Sequence, residues 1–336
     1  MSQCGEYAEL HCRSQFSFLH GASSPERLAE VAHELGLSAL AITDRHGFYG
    51  AVRFAQAARE VGLRTVFGAE VTCNDTRRDA LENTFGNLVI IADGPAGYGA
   101  LSQALTDGQL RGAKSNPVFD VESLAQRVRG ECFVLTGAAE GPLTRALHAD
   151  GPHAARRSLE LLVETFGRDR VLVEVWNHGD PLDVWRNDAL VALAAECNVD
   201  VVATNDVSYA TPGDHVLACA LAAVRHRCSL DELDARLPPA AGACRAVPPS
   251  NAAGSRGIRA WSSGLRKSRV LPHSTCRSSR RACRRFRAPT ARARFNTCVD
   301  SPKRAGGAVT ASVRSVRTKT CRCARAPGAR STTSSR

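Results

Sequence analysis

ALAITDRHGFYGAVRFAQAAREVGLRTVFGAEVT, from Ala39 to Thr72, contains a complete strand–helix–strand unit. Ala39–Asp44 is a short β-rich run that ends on a carboxylate, Ala51–Val61 has helical spacing, and Arg64–Thr72 is β-rich again. The same alternation extends in both directions. Further strand-like runs fall at Ala8–Arg13, Gly86–Asp93, Cys132–Gly137, Arg170–Asn177 and Asp200–Asp206. Helical patterns fall at Tyr98–Leu105, Val121–Val128, Ala154–Phe166, Leu182–Cys197 and Asp214–Val224. Before the quoted unit, Pro25–Leu35 puts Leu28, Val31, Ala32 and Leu35 on one face, and Ser24-Pro25 supplies a helix start. Seven strands alternating with helices predict an α/β fold with a parallel sheet. The apolar runs Val89–Ala92 and Val199–Ala203 fit strands buried on both faces. This pattern does not separate a closed barrel from an open sheet.

Past Pro238-Pro239 the alternation stops. From Ala241 to Arg336 there are 23 Lys+Arg and one acid, Asp300, a net of +22. The preceding 240 residues hold 21 bases and 32 acids, so the overall charge of +11 hides an acidic front and a basic back. Only 12 of the last 96 residues are Ile, Leu, Val, Phe or Trp, too few to offset chain entropy by burial. Residues 1–238 are therefore expected to form one domain, and 239–336 a disordered basic tail whose composition resembles an out-of-frame translation. Such a tail would bind nucleic acid non-specifically, although its aromatics are confined to Trp261, Phe286 and Phe295. The 13 cysteines are scattered, and Cys321 and Cys323 are too close together for a zinc knuckle. With no apolar run of ~18–20 residues and no signal-like start, a cytoplasmic protein without membrane association is expected.

Sites in such folds form at the carboxyl ends of the strands. Those ends are His11-Cys12-Arg13, Thr43-Asp44-Arg45-His46, Gly68-Ala69-Glu70, Asn177-His178-Gly179 and Asn205-Asp206-Val207-Ser208. Imidazoles and carboxylates converging from several strands are the ligand chemistry of metal-dependent phosphoesterases. Strand-end Asp and His residues that merely cap helices are the plainer reading.

Several of these stretches, in order, resemble the motifs of the polymerase-and-histidinol-phosphatase (PHP) domain. They are Glu9–Ser23, Ala41–Asp44 with Gly47–Phe54, Val66–Glu70, Leu135–Gly137, His178–Leu182 and Ala203–Val207. The domain begins bacterial C-family DNA polymerases, and Phe48–Ala55 with His178-Gly179 is most similar to their error-prone, damage-inducible branch. The resemblance covers roughly Tyr7 to Pro238. It implies a distorted seven-stranded (β/α) barrel and a role in translesion replication and repair. The implied partners are DNA, through the parent polymerase, and other replication or repair proteins. The family's palm, fingers, helix-hairpin-helix and OB-fold have no counterpart in the quoted motifs, so polymerase activity is not expected of these residues. An autonomous metal-dependent phosphoesterase or exonuclease is the alternative.

The departures from the family pattern bear on the site. The resemblance places metal-ligand positions at His11, Asp44, Glu70, His178 and Asp206. It also shows that three further imidazole positions are Arg13, Arg45 and Ser208, and a fourth-strand imidazole is Asn87. Arginine offers no lone pair and stays charged, so a degenerate remnant is expected, with no catalytic residues and no cofactor. Zn, Mn or Mg would enter only if the remnant still binds. His20 and His46 read as surface histidines rather than a shifted site. Arg13 and Arg45 either neutralise Asp44, Glu70 and Asp206 or swing out to solvent. The composition change supplies a prediction: limited trypsin digestion leaves a stable core ending between about Ala235 and Arg256, whereas resistance of the whole chain contradicts the boundary.

Overall fold

A computed structural model of the chain describes residues 7–74, 84–113 and 116–233, all within one compact unit. The basic tail expected from residue 239, with Cys321 and Cys323, lies outside the described residues. So do Cys4 and the stretch joining the third and fourth strands.

The strands are β1 (Ala8–Glu9), β2 (Ala39–Ile42), β3 (Thr65–Asn74), β4 (Thr84–Ala92), β5 (Phe119–Asp120), β6 (Cys132–Leu135), β7 (Val171–Val175) and β8 (Asp200–Ala203). The helices are α1 (Pro25–Glu34), α2 (Ala51–Val61), α3 (Gly94–Arg111), α4 (Val121–Val128), α5 (Pro142–Asp150), α6 (Pro152–Phe166), α7 (Asp183–Cys197), α8 (His215–His226) and α9 (Leu230–Leu233). Ser24 caps α1, accepting from the Arg27 N–H, as the Ser-Pro start predicts. Two helices were not expected from the pattern. One is α5, which opens on Pro142 directly after Gly141, and the other is the single turn α9.

The sheet runs β1-β2-β3-β4-β6-β7-β8, with β5 paired to the far end of β3. All seven expected strands are present, and the short β5 adds an eighth. The expectation of an all-parallel sheet needs correction, because β4 is antiparallel to both β3 and β6. The physical reason is chain length. Only nine residues separate Asn74 from Thr84, and a parallel return needs a crossover of a dozen or more. Burial on both faces then gives β4 the same apolar run that a parallel strand would have.

The mixed sheet curls into a half-barrel whose ends meet. Beyond β1, Cys12 bridges Val207 in parallel: Arg13 donates its N–H to the Val207 carbonyl (2.9 Å), and Val207 donates to the His11 carbonyl (2.8 Å). Because strand side chains alternate, Cys12 and Val207 point into one apolar cluster with Leu28, Leu40 and Phe54. His11, Arg13, Asp206 and Ser208 therefore share the opposite, inner face. The larger cluster packs α3, α4, α6 and α7 against the outer face through Leu101, Leu124, Leu159 and Leu190. The six described cysteines are all free thiols.

The loop from Ser14 to Ser23 crosses the mouth of the half-barrel and folds tightly on itself. Gln15 donates to the Ser23 carbonyl, and His20 and Gly21 donate to the Ser17 carbonyl. A Cβ added at Gly21 would lie 2.0 Å from the Ser14 carbonyl oxygen. Gly21→Ala is expected to displace this loop and cost about 1–3 kcal/mol, an overpacking penalty, read as a shift in urea midpoint. An unchanged midpoint would contradict that packing.

Candidate functional site

The inner face at the carboxyl end of the sheet opens into a cavity of about 240 Å³, lined among others by His11, Arg13, Glu70, His178 and Asp206. His11 is 1% exposed. Its Nδ1 lies 2.8 Å from Glu174 Oε1, and its Nε2 lies 3.4 Å from Asp206 and 3.9 Å from Glu70. Burial alone would lower its pKa, but Glu174 and Asp206 outweigh that and hold the imidazole protonated, well above its usual range.

Arg13 occupies the centre. Its Nη1 donates to Glu70 at 3.0 Å, and its Nη2 donates to Asp206 at 2.5 Å and to the Ser208 hydroxyl at 3.0 Å. One guanidinium thus joins β3 to the chain beyond β8. Burial opposes ionisation of Glu70, yet Arg13 foremost, then His11 and Arg45, hold its carboxyl well below the usual range. The other Glu70 oxygen accepts from Asn87 Nδ2 at 2.7 Å, and the same amide reaches Glu140 at 2.7 Å. An amide thus stands at the fourth-strand position and links two carboxylates.

Three expectations about these residues are corrected. Asp44, 1% exposed, is buried behind the cavity rather than lining it. It accepts from the Ser14 N–H and hydroxyl, the Ser17 hydroxyl and the Gly50 N–H, all within 3.0 Å. It therefore anchors the mouth loop and the start of α2, a favourable end for an anion. Arg45 does not neutralise Asp44. It turns to His20 (Nη1 to Nε2, 2.7 Å) and Thr72 (Nη2 to Oγ1, 3.1 Å), with Glu140 at 3.8 Å. His20 and His46 are both half-buried rather than surface residues. Burial first and then Arg45 and Arg225 push His20 down to about 2, while burial and Arg45 push His46 down to about 4. His46 packs against Phe119 and Thr72.

His178 faces the cavity, but its Nε2 is committed to the Asn205 carbonyl at 2.7 Å. Two of these turns use left-handed backbone, Asp206 (φ 46°) and His46 (φ 59°). Such strain is uncommon for non-glycine residues and clusters at functional sites.

Below the cavity lies a layer that sequence reasoning missed. Glu9 accepts from the Tyr7 hydroxyl (2.7 Å) and from the His11 and Asn205 N–H groups (2.8 and 2.9 Å). Burial raises its pKa to about 7 against the lowering effect of those bonds. Glu174 accepts from His11 and Thr204. The available signal was a single acid within the apolar strand Val171–Val175, since such a residue seldom stays buried without a partner. Arg225 was also missed, because it sits in α8, where charge reads as solvated surface.

A half-barrel with strand-end histidines and carboxylates around one inner cavity defines the class, and this chain belongs to the PHP domain family, whose model matches residues 9–178. It is 46% identical over 239 residues to an error-prone DNA polymerase of Mycobacterium tuberculosis, covering 70% of this chain and 22% of that protein. An error-prone DNA polymerase of Cutibacterium acnes is 45% identical over 237 residues, covering 69% of this chain and 21% of that protein. The chain thus spans about a fifth of the length of the polymerases it matches. Among solved structures, an amidohydrolase from Chromobacterium violaceum with bound sulfate and no metal superposes with a TM-score of 0.45 at 16% identity. That superposition covers 60% of this chain and 88% of the other. It is too loose to bear on function.

The Arg13 bridge generates a prediction with a definite pH dependence. Arg13→Met removes the one cation that bonds both Glu70 and Asp206 directly, leaving them the more distant His11 Nε2 at 3.9 and 3.4 Å. It should cost about 3 kcal/mol at pH 7, as for other broken buried pairs. Glu70 has a depressed folded pKa, so its contribution is present above the unfolded value of ~4.3 and is lost as pH falls below it. The deficit of the variant should therefore shrink toward pH 3, as followed by urea unfolding at each pH. A deficit independent of pH would contradict the bridge.

Proposed function

We propose that this chain serves as the PHP module of an error-prone DNA polymerase, with Arg13 as its internal cation in place of a metal ion. The carrying observation is the Arg13 guanidinium lying 3.0 Å from Glu70 and 2.5 Å from Asp206. A divalent ion shared by His11, Glu70 and Asp206 would need the volume that this guanidinium fills, and Arg13 brings no lone pair to a coordination shell. His11 Nε2 is buried without a hydrogen-bond partner, as a ligand atom would be. The same nitrogen lies 3.4 Å from Asp206 and 3.9 Å from Glu70, beside the Arg13 guanidinium, so the place between these groups already holds a cation. Among the described residues, no group of three or more His, Cys, Asp or Glu side chains is arranged to hold a metal.

The remnant His11, Asp44, Glu70, His178 and Asp206 is thus a structural core in this reading, with no catalytic residue and no need for Zn, Mn or Mg. The module would work in damage-tolerant DNA synthesis, meeting DNA and other replication or repair proteins through the larger enzyme, in the cytoplasm. No helix among the described residues is long and apolar enough to cross a membrane. An autonomous phosphoesterase requires Arg13 to vacate its place, and no contact in the cavity favours that.

Elemental analysis of the purified chain after equilibration with Mn or Zn tests this reading. Far less than one ion per chain is expected, with no metal-stimulated hydrolysis of phosphomonoesters. Arg13→His combined with Ser208→His, which puts imidazoles back at two positions, should gain metal affinity. Stoichiometric metal in the unaltered chain would overturn the reading in favour of the phosphoesterase.

A further inference from the structure

The inner face of α8 carries side chains that the charged cluster around Arg13 does not use. His215 and Cys219 lie one helical turn apart and both face the cavity, with Cys219 Sγ 3.5 Å from His215 Nε2. On the other side of the same ring, Nδ1 lies 3.1 Å from the Tyr209 hydroxyl. A thiol, an imidazole and a phenol therefore stand in a row, each within hydrogen-bond reach of the next. This is the arrangement of an activated nucleophile, in which a base touches the attacking atom and a third group orients the base.

Local structure fixes this row. Tyr209 is buried, packs against Ala22 and Ala218, and leans on the imidazole with ring centroids 5.7 Å apart. His215 opens α8 directly after the turn Pro212–Asp214, which a reciprocal pair of bonds between Thr211 and Asp214 closes. Asp214 also accepts from the Ser23 hydroxyl at 3.2 Å, tying that turn to the mouth loop. With Nδ1–H donating to the Tyr209 oxygen, the Nε2 lone pair is left facing the thiol. Cys219 is half-buried, and burial pushes its thiol up, so it does not stand ionised by itself. An adjacent base that takes the proton at the moment of attack is what such a thiol needs. Cys197 and Cys228 are half-buried as well, yet among the described residues Cys219 is the thiol that meets an imidazole.

We propose that Cys219, with His215 as its base and Tyr209 as the group that orients the base, is a site of reversible covalent modification by small disulfides. His215 Nε2 takes the thiol proton as Sγ attacks one sulfur of the disulfide. The new S–S bond forms as the old one breaks, and the departing thiolate receives the proton and leaves as a thiol. Cys219 is thereby oxidised to a mixed disulfide while the released half is reduced, and a free small thiol reverses the exchange. The cavity of about 240 Å³ has room for the attached group, with the small side chains of Ala218 and Ala222 beside it. Among the described residues no second cysteine lines this cavity, so the adduct is not passed on to an internal disulfide there. This inference stands apart from the metal question, because metal content and thiol exchange are separate measurements.

The test treats the full chain, in EDTA, with bis-hydroxyethyl disulfide, a small uncharged probe. Exchange at each cysteine is followed over time by peptide mass spectrometry after the remaining thiols are blocked with N-ethylmaleimide. Cys219 is expected to exchange at least about tenfold faster than Cys197 and Cys228 in the same sample, a lower bound for help from a general base. Dithiothreitol should restore the thiol. His215→Gln should bring Cys219 down to the rate of Cys228, and Tyr209→Phe should slow it part of the way. A general loosening of the fold would instead raise the rates of all three thiols, so it is told apart from loss of the base. A Cys219 rate no higher than that of Cys228 in the unaltered chain would overturn the proposal. So would an unchanged Cys219 rate in His215→Gln with folding intact by near-ultraviolet circular dichroism. If His215→Gln unfolds, the ratio of rates in the unaltered chain and its fall in Tyr209→Phe decide the outcome.

Discussion

The site depends on one guanidinium. Arg13 leaves the first strand on the inner face and meets Glu70 from β3 and Asp206 from beyond β8, bonding both carboxylates directly, with His11 the next cation at 3.9 and 3.4 Å. Without a cation between them, two partly buried carboxylates would raise each other's pKa and part. With one, they are drawn to a common point, and the half-barrel is clamped where its first and last strands meet. The backbone bridge between Cys12 and Val207 sets the same closure from the main chain. Strand alternation makes the two devices inseparable, because the register that pairs Cys12 with Val207 also aims Arg13 at Asp206 and Ser208.

Around this clamp, charge is arranged in layers. The deepest holds Glu9 and Glu174, sustained by Tyr7, Thr204 and backbone N–H groups, with His11 protonated above them. The middle layer is Arg13 with its two carboxylates. The outermost is Arg45, His20 and Arg225, with Glu140 3.8 Å from Arg45. An acidic floor thus carries basic groups above it, each layer facing charge of the opposite sign. The buried carboxylates require cations, and His11 and Arg13 lie beside them.

Much of the fold was legible because strand–helix alternation is written in apolar periodicity. Ala51–Val61 and Val121–Val128 fall where the pattern places them. The direction of β4 was not, since a strand buried on both faces looks the same either way; the nine-residue connection before it held that information. At the site, His11, Glu70 and Asp206 converge as strand-end logic requires. Asp44 does not, because the hydroxyls of Ser14 and Ser17 lie 30 and 27 residues away in sequence but within hydrogen-bond distance of it in space. Arg225 was illegible for a similar reason. Its significance depends on α8 lying over the cavity, and no local pattern encodes where a helix lands.

These layers also explain why arginine, rather than another residue, suits the position of Arg13. A lysine would reach one carboxylate as a point charge, and an apolar residue would leave both unmatched. A histidine would satisfy them only while protonated, and at neutral pH it would offer them a lone pair instead, which is the beginning of a metal site. The planar fork spans Glu70 and Asp206 at once, with a donor left for Ser208. Being charged at every physiological pH, it keeps the strands joined throughout that range. The outer guanidiniums of Arg45 and Arg225 meet on His20 instead, with Glu140 3.8 Å from Arg45, so the fork at Arg13 is the one of the three that bonds two carboxylates directly.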